Sequence, residues 1–78
     1  FSEHALLQMK ERKIEKQKVL DCLLQADKIV EESPDRYRAI KSFQRNKKKY
    51  LFIVVYDRDE RQIEIVTSFI TSKLKKYL

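Results

Sequence analysis

Seventy-eight residues with 42% apolar content allow one domain and one small core, worth roughly 3–5 kcal/mol of net stability. The chain has no Gly and no Trp, and one each of Pro, Cys, Met and His, which excludes Gly-rich phosphate loops, an internal disulfide and a Cys/His zinc site. Eighteen Lys and Arg against 12 Asp and Glu give a net charge of +6, which points to polyanionic partners.

No apolar run approaches the ~18 residues of a membrane span, and the charged N-terminus is not a signal peptide. A lone Cys fits a reducing compartment, so a cytoplasmic protein without metal or cofactor is expected. The chain begins with Phe1, and a few residues are expected ahead of it.

Ser2 has the chemistry of an N-cap, and Ala5, Leu6, Leu7 and Met9 recur at helical spacing to about Arg12. Lys13-Ile14 makes a tight connection to a second helix over Glu15–Gln25, whose buried face is drawn from Val19, Leu20, Cys22, Leu23 and Leu24. From Lys28 the pattern is that of strands: Lys28–Glu32, a turn at Ser33-Pro34-Asp35, Arg36–Arg45, a turn at Asn46–Lys48, Tyr50–Tyr56, a turn at Asp57–Glu60, and Arg61–Thr71. Tyr50–Tyr56 is apolar on both alternating sets, as in a central strand covered on both faces. The tail, Ser72–Leu78, is a short helix or an extended end.

Without Gly, the hairpins are expected to use loops of about three to five residues, with Asn46, Asp57 or Asp59 at any left-handed position. The sum is one α+β domain over residues 1–78: an N-terminal helical hairpin packed on a four-stranded antiparallel sheet.

The charge is unevenly placed. Arg36, Arg38, Lys41, Arg45, Lys47, Lys48 and Lys49 fall within 14 residues that contain no acid, whereas residues 1–35 hold six basic and eight acidic side chains. Such a cluster suits a nucleic-acid ligand, and RNA-binding candidates are Arg36, Lys41, Arg45, Lys47, Lys48 and Lys49. A solvated Lys-rich surface would show the same composition.

His4 is the one side chain whose ordinary pKa lies near neutrality, so acid–base chemistry falls to it. On a helix, His4, Gln8 and Arg12 follow one another at i, i+4 on one face, either presenting an imidazole and a guanidinium to a substrate or standing as exposed surface groups. Arg36 and Arg38 share one face of their strand, opposite Tyr37, Ala39, Lys41 and Phe43, and project in parallel as paired phosphate contacts. In the last strand Thr67 shares the parity of Ile63, Ile65 and Phe69, with Glu64, Val66, Ser68 and Ile70 on the other side. Its hydroxyl is either a phosphate donor or a group satisfied within the sheet. Cys22, among Val19, Leu20 and Leu23, reads as a small buried hydrophobe.

In order and spacing, His4-Ala5, the segment Met9-Lys10-Glu11-Arg12-Lys13-Ile14, a helix with Val19, and strands ending Val54-Val55-Tyr56 and Ile65-Val66-Thr67 resemble a family of small RelE/ParE-superfamily proteins. That family carries a His-Ala start, a Met-x-x-Arg-Gly-Ile segment and a late Val/Ile-Thr strand. Lys13 stands where the family has Gly, which implies a differently shaped end to the first helix.

The resemblance implies the fold of the mRNA-cleaving toxins and membership of a toxin–antitoxin pair. It implies metal-independent endoribonuclease chemistry with His4 as acid–base group, Arg12 and Arg38 as phosphate clamps and Thr67 as a positioning hydroxyl. The implied partners are RNA, free or ribosome-bound, and an antitoxin that covers the basic face. A non-catalytic nucleic-acid- or protein-binding module of the same fold, or a toxin that poisons DNA gyrase, satisfies the same features.

Overall fold

In the computed structural model, which describes residues 1–78, the backbone follows the order α1 (Glu3–Glu11), α2 (Lys16–Gln25), β1 (Lys28–Ser33), β2 (Arg36–Arg45), β3 (Lys48–Arg58), β4 (Ile63–Thr71) and α3 (Leu74–Tyr77). The strands form one antiparallel sheet in sequential order, β1-β2-β3-β4. The expected α+β architecture is thus observed.

Ser2 caps α1: its Oγ accepts from the Ala5 N–H at 3.0 Å and donates to the Ile65 carbonyl at 3.1 Å, so the cap also ties the helix to β4. The other end of α1 corrects the expectation of an altered shape. Lys13 adopts the left-handed conformation, φ 56°, its N–H donates to Lys10 O at 3.3 Å, and the Ile14 N–H donates to Met9 O at 2.8 Å. This is a Schellman motif with Lys in the place that Gly usually fills, closed by the buried pair Met9 and Ile14.

The hairpins depart from expectation in a related way. Two of the three use two-residue turns despite the absence of Gly. Arg45 pairs with Lys48 across Asn46-Lys47, with φ 53° and 65°; positive φ at both positions is the requirement of a type I′ turn. Ser33 pairs with Arg36 across Pro34-Asp35, where Pro presets the first position and Asp35 takes φ 67° at the second, as in a type II turn. The left-handed residues are therefore Lys13, Asp35, Asn46 and Lys47. Asp57 lies within β3, paired with Arg36 and Glu64. The third loop does have four residues; there Asp59 Oδ1 accepts from the N–H groups of Arg61 and Gln62 at 2.8 and 2.9 Å.

α1 packs against β4, and α2 against β2 and β3. Beneath them Ala5, Met9, Val19, Cys22, Ala39, Phe52, Val54, Tyr56 and Ile65 form the larger core. The alternate residues of the central strands, Ile40, Leu51 and Ile53, are fully buried on the opposite face with Val30, Val55, Phe69, Leu74 and Tyr77 around them. α3 folds back over that face, so the central strand is covered on both sides, as its unbroken apolar run requires.

A β-bulge at Val66 corrects the parity expected in β4. Tyr56 pairs with Ile65 but Val55 pairs with Thr67, and the extra residue resets the alternation. Ser68 pairs with Val54 and is fully buried on the helix side with Ile65, three residues away, rather than on the opposite face.

Candidate nucleic-acid interface

The helical stripe anticipated on α1 is a connected network. Arg12 Nη1 donates to Gln8 Oε1 at 3.4 Å, to Thr67 Oγ1 at 3.3 Å and to the Ser68 carbonyl at 2.7 Å. The Thr67 hydroxyl donates to Gln8 Oε1 at 2.5 Å. Two donors on Oε1 fix the amide orientation, so Gln8 Nε2 faces His4 Nε2, 2.8 Å away, as the donor. The imidazole nitrogen that accepts cannot carry the proton, and the neutral ring is held as the Nδ1–H tautomer. His4 is solvent-exposed, with no neighbouring carboxylate bonded to it.

Arg12 is anchored through one nitrogen, which leaves Nη2 and Nε without a partner in the chain, and it forms no ion pair. Of the sequence candidates, His4, Arg12 and Thr67 therefore come together. Arg38 does not join them. It lies on the sheet face opposite the helices, paired with Val55, bridged to Glu32 at 3.0 Å and stacked 5.5 Å from the Tyr77 ring centroid.

Arg36 shares that face, as its parity required, but Asp57 already occupies its guanidinium in a two-point contact at 2.6 and 2.9 Å. That contact holds the Asp57 carboxyl below its ordinary value and raises Arg36. Two arginines bound to carboxylates are poor phosphate clamps, because a phosphate must first displace the carboxylate.

The remaining basic residues lie at the other end of β2 and β3. Lys41 donates to Gln25 Oε1 at 3.2 Å and to its carbonyl at 3.5 Å. Arg45, Lys47, Lys48 and Lys49 are exposed and form no ion pair. Phe43 and Tyr50 are directly opposed across the hairpin, with ring centroids 5.7 Å apart and planes at 22°. Arg45 lies over Phe43 and Lys48 over Tyr50, at 5.6 and 5.7 Å.

At this end of β2 the carboxylate of Asp27 is bonded to Ser42. Its Oδ2 accepts from Ser42 N–H and Oγ–H at 2.7 and 2.9 Å, and these bonds hold it below its ordinary range.

A cleft of about 440 Å³ runs between the α1–α2 connection, α2 and this end of the sheet, with Lys13, Lys18, Lys41 and Arg45 on its walls beside Glu15 and Asp21, and Phe43 and Ile70 among its apolar lining. It adjoins the network, since Lys13 follows Arg12, and Ile70 lies two residues beyond Ser68 on β4. Lys18, Phe43 and Tyr50 were not distinguished as site residues by sequence reasoning. The signal available was the placement of Phe43 and Tyr50 symmetrically about Asn46-Lys47, which becomes legible only once the turn length is known.

Cys22 also lines the cleft but is fully buried, its Sγ between the carbonyls of Ala39 and Phe52 at 3.7 and 3.6 Å. Burial pushes the thiol up to about 11, so it is not a nucleophile at neutral pH. No group of three or more His, Cys, Asp or Glu side chains is gathered as a metal site would require, and no helix is long and apolar enough to cross a membrane. A family model described as a domain of unknown function, DUF4258, matches residues 1–76. No curated protein and no solved structure matches the chain.

Proposed function

We propose that this chain, which belongs to the DUF4258 family, binds RNA and cleaves it by metal-independent transesterification, as the toxin half of a cytoplasmic toxin–antitoxin pair. The observation that carries the reading is the network that holds His4 and an uncompensated Arg12 on one exposed stripe through Gln8 and Thr67. Its continuity with a cleft in whose lining four cations outnumber two carboxylates supports the choice of ligand, as does the order of motifs, which resembles that of small RelE/ParE-superfamily proteins.

The chemistry requires few groups. The 2′-hydroxyl gives its proton to His4 Nε2 once it takes the place of the Gln8 amide. The 2′ oxygen bonds to phosphorus as the P–O5′ bond breaks, and the imidazolium returns the proton to the 5′ oxygen. Arg12 places its free Nη2 and Nε against the charge that grows on the phosphate. The products are a 2′,3′-cyclic phosphate and a 5′-hydroxyl.

An oligoribonucleotide with one 2′-deoxy residue at the cut position tests this route: cleavage at that position should vanish while binding persists. Continued cleavage there would remove transesterification from consideration.

A second reading, a non-catalytic RNA-binding module, is favoured by one observation. Arg36 and Arg38 are ion-paired on the far face, which leaves Arg12 as the sole guanidinium beside His4. In that case His4→Ala leaves RNA affinity intact and no RNA is cut by either form. The antitoxin, in this account, covers the basic face and adds apolar burial to a small core.

A further inference from the structure

The sheet carries two cross-strand aromatic pairs of nearly identical geometry and different surroundings. Tyr37 and Tyr56 have centroids 5.6 Å apart and planes at 22°; both pack into the helix-side core, and no cation lies over either ring. Phe43 and Tyr50 repeat the geometry at 5.7 Å and 22°. Phe43 touches the core with one side, but Tyr50 packs against neither core cluster.

The second pair is instead flanked by Arg45 and Lys48, which are themselves directly opposed two register positions on, the next pair on the same face. Core formation accounts for the first pair and leaves the second unexplained, since a large ring gains most from full burial.

We infer that Phe43 and Tyr50 form a stacking platform for the bases of single-stranded RNA, with Arg45 and Lys48 beside the adjoining phosphates. The inference rests on the reading of RNA as ligand and names how the RNA is held. Aromatic rings on neighbouring central strands are a sequence-tolerant surface for unpaired bases, which offer a π-face whatever their identity. The Lys48 ammonium sits on a flexible stem; it yields the face of Tyr50 to a base and stays next to the phosphate. Arg45 belongs to both the platform and the cleft wall, so a strand bound at Phe43 leads toward Lys13 and Arg12. Duplex RNA, whose bases stack on one another, gains nothing from the rings.

The test is binding of the full chain to a short single-stranded oligoribonucleotide, to the same sequence as a duplex, and to inorganic polyphosphate, a polyanion without bases. Tyr50→Leu should weaken single-strand binding roughly tenfold and leave polyphosphate binding unchanged; Tyr50→Phe should restore the wild-type affinity. Ultraviolet crosslinking of wild-type protein to the single strand should map to Phe43 or Tyr50, which decides the matter even if Tyr50→Leu fails to fold.

Wild-type affinity in a folded Tyr50→Leu, an equal loss toward polyphosphate, or crosslinks confined to other segments overturns the platform while the RNA reading stands. If the wild-type protein binds no RNA, both fall together.

Discussion

The Thr67 hydroxyl donates to Gln8 Oε1 at 2.5 Å, joining the middle of α1 to the bulged edge strand across 59 residues of sequence. The bond matters because Gln8 has two ends. With Oε1 held by Thr67 and Arg12, its Nε2 is committed to His4. Long-range proton–nitrogen NMR of the imidazole should therefore show the Nδ1–H tautomer in the wild type, weakened by Thr67→Val and lost in Gln8→Ala. Thr67→Val should also cost about 0.5–1.5 kcal/mol in thermal unfolding, one hydrogen-bond partner of Gln8 and Arg12 being removed without change of shape. An unchanged tautomer in Gln8→Ala would show that the amide does not orient the ring.

Lys13 holds a left-handed conformation that its Cβ disfavours. Lys13→Gly should stabilise the protein by about 1 kcal/mol, equivalent to roughly 4–8 °C in Tm for a domain of this size. Lys13→Ala keeps the Cβ and should give no such gain. Equal melting temperatures for Gly and Ala would mean that the Schellman geometry at Ile14 is not what sets this end of α1.

Asp57 is depressed below its ordinary value of 3.8 by the hydrogen bonds from Arg36. A carboxyl with a lowered folded-state pKa binds protons more readily in the unfolded chain, so its contribution is complete above that ordinary value and is lost as pH falls through the folded one. Asp27, depressed by Ser42, acts in the same direction. Stability should fall with acid below about pH 4, and Asp57→Asn should flatten part of that slope while changing stability little near neutrality, both partners being exposed. A slope identical in Asp57→Asn would contradict the assignment.

The extents of the helices and strands were legible from their periodicities: Ala5 and Met9 mark the inner side of α1, and the run through Leu51–Val54 demands cover on both faces. The inner side of α2 is narrower than its apolar residues imply, since Val19 and Cys22 are buried while Leu20 and Leu24 are exposed. The turns were less so. Absence of Gly suggested long loops, yet Asn46-Lys47 and Pro34-Asp35 adopt tight turns, because the ten-residue pairing of β2 with β3 and the Pro-set angle at Pro34 outweigh roughly 1 kcal/mol at a left-handed non-Gly residue.

The site divides along the same line. The i, i+4 spacing that joins His4, Gln8 and Arg12 is local and could be read directly. The parity that sends Arg38 to the far face could be read too, but the face on which the helices pack could not. The bulge at Val66, which brings Ser68 under α1, has no sequence signal of its own, and the pairing of Phe43 with Tyr50 depended on a turn length that composition argued against.

The measurement closest to the central claim is cleavage of RNA by purified protein in excess chelator, wild type beside His4→Ala, with ribosomes present and absent. Wild type should produce 2′,3′-cyclic phosphate ends, and His4→Ala, folded and still binding RNA, should lose cleavage by at least about a hundredfold, the usual reach of a positioned acid–base group. Wild-type cleavage no greater than that of His4→Ala under both conditions would contradict the account.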